Sequence, residues 1–420
     1  MLTPMSAVSE DHSCCTVSNR QPATVEVADI FRRYGEKYRD AHKLTQKQHS
    51  VMFDIEHCRS SYFGYHVDIC DQCGHLDRGL NSCRNRHCPK CQGIARKLWV
   101  NARLDDLLPI SYYHATFTLP HMLNPLVGYN RQLIYNLLFD CASETLLQFG
   151  RDPKWLGALI GFYGILHTWG GMLWQHLHAH FIVSGGGLSE DGRWVEPKYK
   201  GKFIFPVRAL SQVFRGKFIA RLKSAYADAK LVLPEGLKHL KDAAQFESFI
   251  DALVARNWVV FAKPPFGGPE RVVRYIGRYT HRIAISNDRL IKVEKDRVYF
   301  NYKDYRDKGC WKPGVLKAEE FIRRFLLHVL PEGFHRIRHY GFLANGRCKA
   351  KVAQIRKLLS CDDELNHELK EKVIEDQAWL NCPVCEKGRL TPVLIVHRTG
   401  QVISSAASLL FSNRLVWDTS

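Results

Sequence analysis

The sequence predicts an α+β fold with a small metal-binding module near its N-terminus. Residues 113–119 and 174–184 alternate polar and apolar side chains, as half-buried β-strands do. Residues 130–149 instead repeat apolar side chains at the spacing of an amphipathic helix. Six of the 14 cysteines lie between residues 58 and 91, which indicates a local metal site. Together, these observations predict strands, helices and a metal-stapled module in one chain.

The sequence predicts helices and strands in mixed succession along the chain. A polar lead precedes a basic helix at 25–40, and the cysteine module extends to about residue 103. The strand at 113–119 and the helix at 130–149 come next, and an apolar run at 156–173 leads into the strand at 174–184, which three glycines close. Further helices are expected at 209–229, 243–255 and 271–280, then a meander of strands at 283–285, 290–293 and 298–302. An acidic helix is expected at 361–380.

We divide the chain into four parts on this basis. Residues 1–50 form an N-terminal helical lead, and residues 51–105 form a zinc-binding DNA-recognition domain. Residues 106–310 carry the strands and the helices of a catalytic domain. Residues 311–420 form a basic, helical C-terminal extension that ends in a Cys-x-x-Cys tail.

The composition indicates a protein that binds a polyanion and that does not span a membrane. The chain of 420 residues carries 60 Lys and Arg against 42 Asp and Glu, a formal net charge of +18. Nucleic acid is the first candidate for a partner of such a chain. The longest apolar run, residues 157–166, is about half of what a bilayer-spanning helix needs. The start carries no signal-peptide pattern, so we expect a reducing compartment, where most cysteines remain thiols or metal ligands.

The cysteine spacing predicts one structural zinc site and leaves a second one open. Cys70, Cys73, Cys88 and Cys91 form C-x2-C-x14-C-x2-C, a spacing typical of zinc ribbons, and we expect them to bind one Zn²⁺. Nearby residues could build a second site or could be a buried cysteine and hydrogen-bonded histidines: Cys58, His75, Cys83 and His87. The later pair Cys382 and Cys385 lacks a clear partner pair. It could be completed by His397, Cys361 or Cys348, but we do not expect a third metal ion there.

Basic residues cluster in three windows that could contact DNA. The cysteine module has a basic rim that includes Arg84 and Arg86. A second window contains four regularly spaced arginines: Arg271, Arg274, Arg278 and Arg282. In residues 335–357, aromatic residues are interleaved with the charges, as in a single-strand groove, although a solvated helix face is the alternative.

Two motifs carry residues that are suited to phosphodiester chemistry. The strand segment QHLHAHFIV places His176, His178 and His180 on one face, where they could bind a metal ion. About ninety residues later, RVVRYIGRYTHR places Tyr275 and Tyr279 one helical turn apart among the four arginines. A metal ion could polarise a phosphate while a tyrosine attacks it, and the phosphotyrosine would conserve the bond energy.

These motifs resemble those of the rolling-circle transposases of insertion-sequence family ninety-one, in the HUH superfamily of single-strand endonucleases. The resemblance rests on CRNRHCPKCQ, YHATFTLPH, HTWGGMLWQHLHAHFIVSGGG, YIGRYTHRIAIS and NYKDYR, in that order. It implies an HUH nuclease core with a central antiparallel sheet flanked by helices, an N-terminal zinc-binding domain and a helical basic extension. His178 and His180 match the metal-binding pair of the motif, and His176 takes its first position, where Leu177 replaces the usual proline.

The resemblance also implies an activity, its cofactors and a bacterial cytoplasmic location at the nucleoid. Tyr275 and Tyr279 match the paired nucleophiles of the two-tyrosine class, so the expected enzyme is a transposase that nicks and joins single-stranded DNA through a 5′-phosphotyrosine. The expected catalytic metal is Mg²⁺ or Mn²⁺, although imidazole ligands alone favour zinc or manganese. The third metal ligand is open among Gln175, His176 and His281.

Two rival functions share some of these features. A plasmid replication initiator or relaxase would use the same chemistry in another genetic setting. A zinc-dependent DNA-binding regulator would need the cysteine module but no tyrosine, and it would form no covalent adduct with DNA.

Overall fold

The described part of the computed structural model covers residues 25–93, 99, 106–198, 204–263, 283–304, 307–360 and 381–405. Within these ranges, the chain forms three antiparallel sheets and eight α-helices. The mixed α+β class expected from the sequence is confirmed.

Two N-terminal helices begin the described chain. Helix α1 (Val27–Ala41) is amphipathic, and Phe31 on its buried face packs edge-on against Phe325 with 5.2 Å between the ring centroids. Helix α2 (Gln46–Glu56) begins at a capping box, because the Thr45 hydroxyl accepts from the Gln48 backbone N–H while the Gln48 side chain accepts from the Thr45 N–H. The two helices pack against each other and lead into the cysteine module.

A four-stranded sheet, called here the cysteine sheet, combines a hairpin from the N-terminal part of the chain with two strands from its C-terminal part. Strands β1 (Tyr65–Cys70) and β2 (Leu76–Leu80) form a hairpin, and β12 (Leu390–Val396) pairs antiparallel with β1 on its other side. Strand β13 (Val402–Ser405) adds the outer edge, giving the order β13-β12-β1-β2. The C-terminal strands therefore belong to the same sheet as the N-terminal hairpin.

The central sheet is also antiparallel and contains six strands. Its main path runs in the order β11-β4-β5-β3-β7, and β6 pairs with one end of β5. The strands are β3 (Tyr112–Thr118), β4 (Leu159–Trp169), β5 (Gln175–Leu188), β6 (Trp194–Val195), β7 (Val260–Lys263) and β11 (Ile337–Gly341).

Helices cover one face of the central sheet and enclose an aromatic core. The covering helices are α3 (Asn124–Tyr129), α4 (Arg131–Arg151), α5 (Val207–Ala227) and α6 (Ala243–Val254). Phe181 of β5 lies at the centre of this core, where its ring contacts Phe117, Phe139 and Phe162. The opposite face is apolar around Ile182, where helix α8 (Cys348–Leu358) packs on it, and polar at the histidine end of β5.

A three-stranded meander follows in the chain. It consists of β8 (Leu290–Glu294), β9 (Arg297–Asp304) and β10 (Cys310–Lys317), in the order β10-β9-β8. Helix α7 (Ala318–Leu327) continues directly from β10 and packs against α1. The end of this helix also reaches the loop that connects β4 and β5, through His328.

The structure confirms several predicted elements and corrects others. The predicted strands at 113–119 and 174–184 correspond to β3 and β5, but β5 continues through the three glycines to Leu188 because Gly187 and Leu188 pair with β4 and β6. The apolar run at 156–173 contains strand β4, which we did not predict, since an unbroken apolar run lacks the period of two. The meander is shifted along the chain: residues 283–285 form no strand, and β10 is its third member.

Other predictions concern helices and the domain division. The helices predicted at 25–40, 130–149, 209–229 and 243–255 are present as α1, α4, α5 and α6. The helices predicted at 271–280 and 361–380 lie outside the described residues. The C-terminal part contains α7 and α8, and its strands β11 and β12 also extend the central and cysteine sheets. The domain boundaries themselves remain predictions. In the described ranges, no helix is both long and apolar enough to span a bilayer.

The aromatic core supplies a direct test of this fold. We expect Phe181→Ala to lower the free energy of unfolding by about 4 kcal/mol, because it leaves a cavity among three packed rings. Phe261→Ala, at a side chain that is 51% exposed, is the matched control and should cost less than about 1 kcal/mol. Urea denaturation followed by circular dichroism measures both variants, and equal losses would contradict the assigned core.

Candidate metal centres

The histidine strand presents three imidazoles on one side of the central sheet. Along β5, the side chains of Leu177, Ala179 and Phe181 are buried under the helices. His176, His178 and His180 alternate with them and are partly buried on the opposite face. The strand and the common face that the sequence predicts are therefore both present.

The neighbouring strand supplies a third histidine that sequence reasoning missed. In the antiparallel register of β4 and β5, His167 lies directly opposite His178. Directly opposed residues of adjacent strands share a face, and ligand atoms of His167, His178 and His180 all lie within 4.8 Å of one another. These three residues form the histidine cluster. His167 is the one histidine in the apolar run at 156–173, and that isolated polar residue was the available signal.

Hydrogen bonds orient two of the three rings. The Nδ1–H of His178 donates to the backbone carbonyl of His176 at 2.8 Å, which leaves the lone pair on Nε2 of His178. Nδ1 of His180 contacts Nε2 of His114 at 2.8 Å and the Thr116 hydroxyl at 3.1 Å. A metal ion would therefore meet the other nitrogen of His180, and both rings have the outer partners that metal-binding histidines use.

Burial keeps the cluster in the form that binds metals. Desolvation lowers the pKa of His178 to about 3, with a smaller contribution from His176. Desolvation, and then the neighbouring His167 and His178, hold the pKa of His180 well below its usual range. Neutral imidazole is the metal-binding form of histidine, so these residues need no deprotonation near pH 7. Three nitrogen donors on one face fit a divalent cation.

The other predicted ligands of this site lie apart from the cluster. Nδ1 of His176 lies 3.0 Å from Nε2 of His121, and His176 is not among the three grouped histidines, so its predicted role as a ligand is not supported. Gln175 begins β5 opposite Trp169, and its carbonyl accepts from the Asn124 side chain. His281 lies outside the described residues.

The loop between β4 and β5 is held by side chains from later in the chain. Arg289 donates to the carbonyl of Gly171 at 2.7 Å, and Arg324 donates to the carbonyl of Met172 at 2.9 Å. His328 contacts the Leu173 carbonyl at 3.1 Å and the Thr168 hydroxyl at 3.0 Å. Since only a ring N–H can donate to a carbonyl, Nδ1 of His328 accepts from Thr168. Burial lowers the pKa of His328 to about 4, so this neutral arrangement persists at pH 7.

The cysteines form two groups, and their grouping differs from the predicted one. Cys58, Cys83, Cys88 and Cys91 form the first cysteine cluster, and Cys70, Cys73, Cys382 and Cys385 form the second. The prediction that Cys70, Cys73, Cys88 and Cys91 share one metal ion is therefore wrong. Cys58 and Cys83, proposed for a second site, instead complete the site of Cys88 and Cys91.

The length of the β1–β2 hairpin explains this correction. Cys70 and Cys73 lie at the turn of the hairpin, and β2 then runs back along β1 for five residues. At about 3.3 Å per residue, that return places the next pair roughly 15 Å away, at the opposite end of the hairpin. Cys88 and Cys91 thereby meet Cys58, which precedes β1. Spacing in sequence identifies the two pairs but not which cysteines complete them.

The first cysteine cluster has the dimensions of a zinc site. Sγ of Cys91 lies 3.6 Å from Sγ of both Cys58 and Cys83. Tetrahedral zinc with Zn–S bonds of about 2.3 Å separates its sulfurs by roughly 3.8 Å. The structure does not support the proposed role of His87 as a ligand, because its Nδ1 contacts Asn85 and its Nε2 accepts from the Leu330 N–H at 3.0 Å. Burial also holds the pKa of His87 well below its usual range.

The predicted DNA-binding arginines have different positions. Arg84 is exposed next to the first cysteine cluster. Arg86 donates to the backbone carbonyls of Phe334 and Pro331 at 2.7 and 2.9 Å, so it connects the cysteine module to the segment before β11. The remaining predicted residues lie outside the described part of the chain: Arg271, Arg274, Tyr275, Arg278, Tyr279 and Arg282.

Comparisons with known proteins define the class and then the family. Residues 30–119 match the family model "Transposase zinc-binding domain", and residues 161–351 match the model "Putative transposase". The chain is thus a transposase with an N-terminal zinc-binding domain, a DNA-processing class of protein. It belongs to insertion-sequence family ninety-one (IS91), and structural zinc in its cysteine module agrees with this membership.

Two relatives extend the comparison over most of the chain. The chain is 46% identical to "Putative transposase y4qJ" of Sinorhizobium fredii over 380 residues, which cover 88% of this chain and 95% of the relative. It is 28% identical over 305 residues to "Transposase for insertion sequence element IS801" of Pseudomonas savastanoi pv. phaseolicola, covering 72% of each chain. No solved structure matches the chain.

The grouping of the first cysteine cluster can be tested by zinc content. We expect Cys58→Ser to lower the zinc content by about one ion per chain, because a tetrahedral thiolate site loses one of its four ligands. His87→Gln should keep the zinc, because His87 bonds to Asn85 and Leu330 in the described structure. Mass spectrometric metal analysis of the purified proteins measures both; zinc loss in the His87 variant alone would contradict the grouping.

Proposed function

We propose that this transposase nicks and joins single-stranded DNA through Tyr275 and Tyr279, in metal-dependent rolling-circle transposition on an HUH-type core. The observation that carries the proposal is the histidine cluster on the central antiparallel sheet. Two of its members form a His-x-His pair with a small apolar residue between them, and the third faces them from the adjacent strand. Family membership supports DNA transposition, and the cluster supports this particular chemistry.

The path of the chain supports a tyrosine nucleophile near the histidine cluster. Lys263 is the last residue of β7, and its backbone pairs with that of His114 on β3. The side chain of His114 contacts His180 of the cluster at 2.8 Å. The segment that contains Tyr275 and Tyr279 follows Lys263 in the sequence, so the last described residue before it belongs to a strand beside the cluster.

The proposed reaction is a reversible transfer of a phosphodiester. The phenolic oxygen of one tyrosine attacks the phosphorus and forms a Tyr O–P bond, and the P–O3′ bond breaks. The DNA on the 5′-oxygen side stays on the enzyme as a 5′-phosphotyrosine, and a free 3′-hydroxyl is released. The phenol loses its proton to solvent or base, and the leaving O3′ gains one. A 3′-hydroxyl can later attack the phosphotyrosine and free the enzyme, so no external energy source is required. The second tyrosine would serve the second transfer.

Arginines and a bound cation would lower two energetic costs of this reaction: ionisation of the tyrosine phenol and the build-up of charge on the phosphate. A phenol has a pKa of about 10, so its ionisation at pH 7 costs on the order of 4 kcal/mol. The sequence places Arg271, Arg274, Arg278 and Arg282 around the two tyrosines, and guanidinium groups favour a phenolate. A divalent cation, Mg²⁺ or Mn²⁺, bound by His167, His178 and His180 would supply Lewis-acid stabilisation of the phosphate. Of these, His178 and His180 contribute neutral nitrogen donors that hydrogen bonds already orient.

The rival functions differ from this proposal in measurable ways. A replication initiator or relaxase would form the same covalent adduct, and the transposase relatives favour transposition over both. A regulator without catalysis would form no adduct, and that function gives no reason for three histidines to share one face of the central sheet.

The covalent adduct tests the proposed nucleophiles. The full-length protein is incubated with Mn²⁺ and a 3′-labelled single-stranded oligonucleotide from an element end, and the products are separated on denaturing gels. We expect a labelled protein adduct, and we expect the double variant Tyr275→Phe with Tyr279→Phe to lose it by at least about 100-fold, since phenylalanine has no nucleophilic oxygen. Tyr129→Phe, at a side chain that is 61% exposed, is the matched control and should retain the adduct.

The same assay can reject the proposal. An adduct that persists in the double variant would exclude both tyrosines as nucleophiles. Complete absence of an adduct in the unmodified protein, with DNA binding intact, would instead favour the regulator.

The histidine cluster is tested by comparing one of its members with a histidine outside it. We expect His167→Ala to weaken Mn²⁺ binding by roughly tenfold or more, because it removes a nitrogen donor on the metal-facing side. His176→Ala should change binding by less than about threefold, because His176 contacts His121 outside the cluster. Isothermal titration with Mn²⁺ measures both. The reverse ranking would place the third ligand at His176 and contradict the role of His167.

A further inference from the structure

We propose that the second cysteine cluster, Cys70, Cys73, Cys382 and Cys385, is a second structural zinc site that fastens the C-terminal segment to the N-terminal domain. The zinc-binding family model covers residues 30–119, so it contains Cys70 and Cys73 but not their partners. The four sulfurs come from segments more than 300 residues apart in the sequence. This site goes beyond the transposase function and does not depend on it.

The sulfur positions fit a tetrahedral metal ion. Sγ of Cys70 lies 3.7 Å from Sγ of Cys385, and Sγ of Cys73 lies 3.7 Å from Sγ of Cys382. Tetrahedral zinc requires sulfur separations of roughly 3.8 Å. Among the described residues, the grouped ligands here are four sulfurs, which is the donor set of a closed structural site, whereas catalytic zinc keeps an open position.

The two Cys-x-x-Cys turns are copies of one backbone arrangement. Near Cys70, the N–H groups of Gln72 and Cys73 point at the Cys70 sulfur at 3.4 and 3.5 Å. In the other turn, the N–H of Val384 points at the Cys382 sulfur at 3.4 Å, and that of Gly388 points at the Cys385 sulfur at 3.3 Å. Backbone donors aimed at sulfur stabilise the thiolate, which is the form that binds metal.

Both turns also share a backbone conformation that is uncommon for most residues. The residue after the second cysteine has positive φ in each turn, +70° at Gly74 and +57° at Glu386. Glycine adopts this region freely, but it costs an L-residue such as glutamate about 1 kcal/mol or more. The same left-handed conformation at the matching position indicates that the two turns have the same backbone shape, which in the second turn is kept despite its cost at Glu386.

The cysteine sheet has too small a core to hold the C-terminal segment by burial alone. In strands β1, β2 and β12, the buried side chains are Cys70, Ile395 and Val396. Small units of this kind need a disulfide or a metal ion to become stable. The register of β1 and β12 pairs Cys70 with Leu390, so the turn of Cys382 and Cys385 arrives next to the turn of Cys70 and Cys73.

Close backbone packing around this site leaves no room for a larger residue. A Cβ added at Gly388 would overlap the Cys70 sulfur and would lie 2.8 Å from Cβ of Gln72. The Asp71 N–H donates to the Arg389 carbonyl at 3.1 Å, and the Arg389 N–H donates to the Asp71 carboxylate at 2.8 Å. These contacts depend on the two turns lying side by side, where the metal ion would hold them. Loss of the ion should therefore loosen this end of the sheet.

Cysteine labelling tests the site in the unmodified full-length protein. The purified zinc-loaded protein is treated with iodoacetamide in the presence of a reductant, with and without a zinc chelator, and labelling is read by peptide mass spectrometry. We expect Cys73, Cys382 and Cys385 to resist labelling until the chelator is added and then to react at least about tenfold faster, since only a free thiolate is nucleophilic. Cys310 is exposed, belongs to neither cluster and should react equally in both conditions.

Two results of that experiment would overturn the proposal. If Cys382 and Cys385 react as fast as Cys310 before chelation, no metal ion protects them. If they stay unreactive after chelation, the fold and not a metal ion shields them. The reductant keeps any disulfide open, so a disulfide would give the first of these results.

Cysteine variants test whether the site holds the C-terminal segment in place. We expect Cys382→Ser with Cys385→Ser to contain about one zinc ion fewer per chain than the unmodified protein. Limited proteolysis should then cut residues 381–405 at least about fivefold faster, because the metal ion no longer anchors this segment. Gly388→Ala, which keeps all four cysteines, should show the same accelerated cleavage, and Cys310→Ser should show neither change. Unchanged zinc content in the double variant would overturn the proposal.

Discussion

The antiparallel register between β4 and β5 controls the geometry of the histidine cluster. His167 and His178 share a face because they are directly opposed, and a slip of one residue would turn every β5 side chain to the other face. The cost of such a slip would be large, because Phe181 would leave the aromatic core while a histidine entered it. The same burial that stabilises the core therefore fixes the histidines on the opposite side.

The connection between these two strands is fixed by donors from distant parts of the chain. Arg289, Arg324 and His328 each bond to one of three successive carbonyls, those of Gly171, Met172 and Leu173. A tight loop cannot satisfy these carbonyls within itself, and unpaired buried carbonyls are costly. The meander and helix α7 therefore have a structural task at the end of the histidine strand, although they contribute no member of the cluster.

The sequence predicts local structure and faces well, and it predicts long-range partners poorly. A period of two in QHLHAHFIV was enough to place His176, His178 and His180 on one face. The identity of the opposing strand depends on pairing across the sheet, so His167 could not be found from β5 alone. The cysteines follow the same rule: each Cys-x-x-Cys pair is local, but the return of β2 and the arrival of β12 decide which pairs meet.

Long-range contacts inside the protein also use part of the positive charge that gives the chain its net +18. Several arginines serve as cross-links inside the protein: Arg86 bonds to two carbonyls, Arg289 bonds to the carbonyls of Gly171 and Asn301, and Arg324 bonds to Met172 and stacks on Trp174. Guanidinium suits this task because it is always charged and its planar fork carries five donors. A guanidinium already bonded to carbonyls must give up those bonds to reach a phosphate. A count of arginines in the sequence therefore overstates the basic surface that is open to DNA.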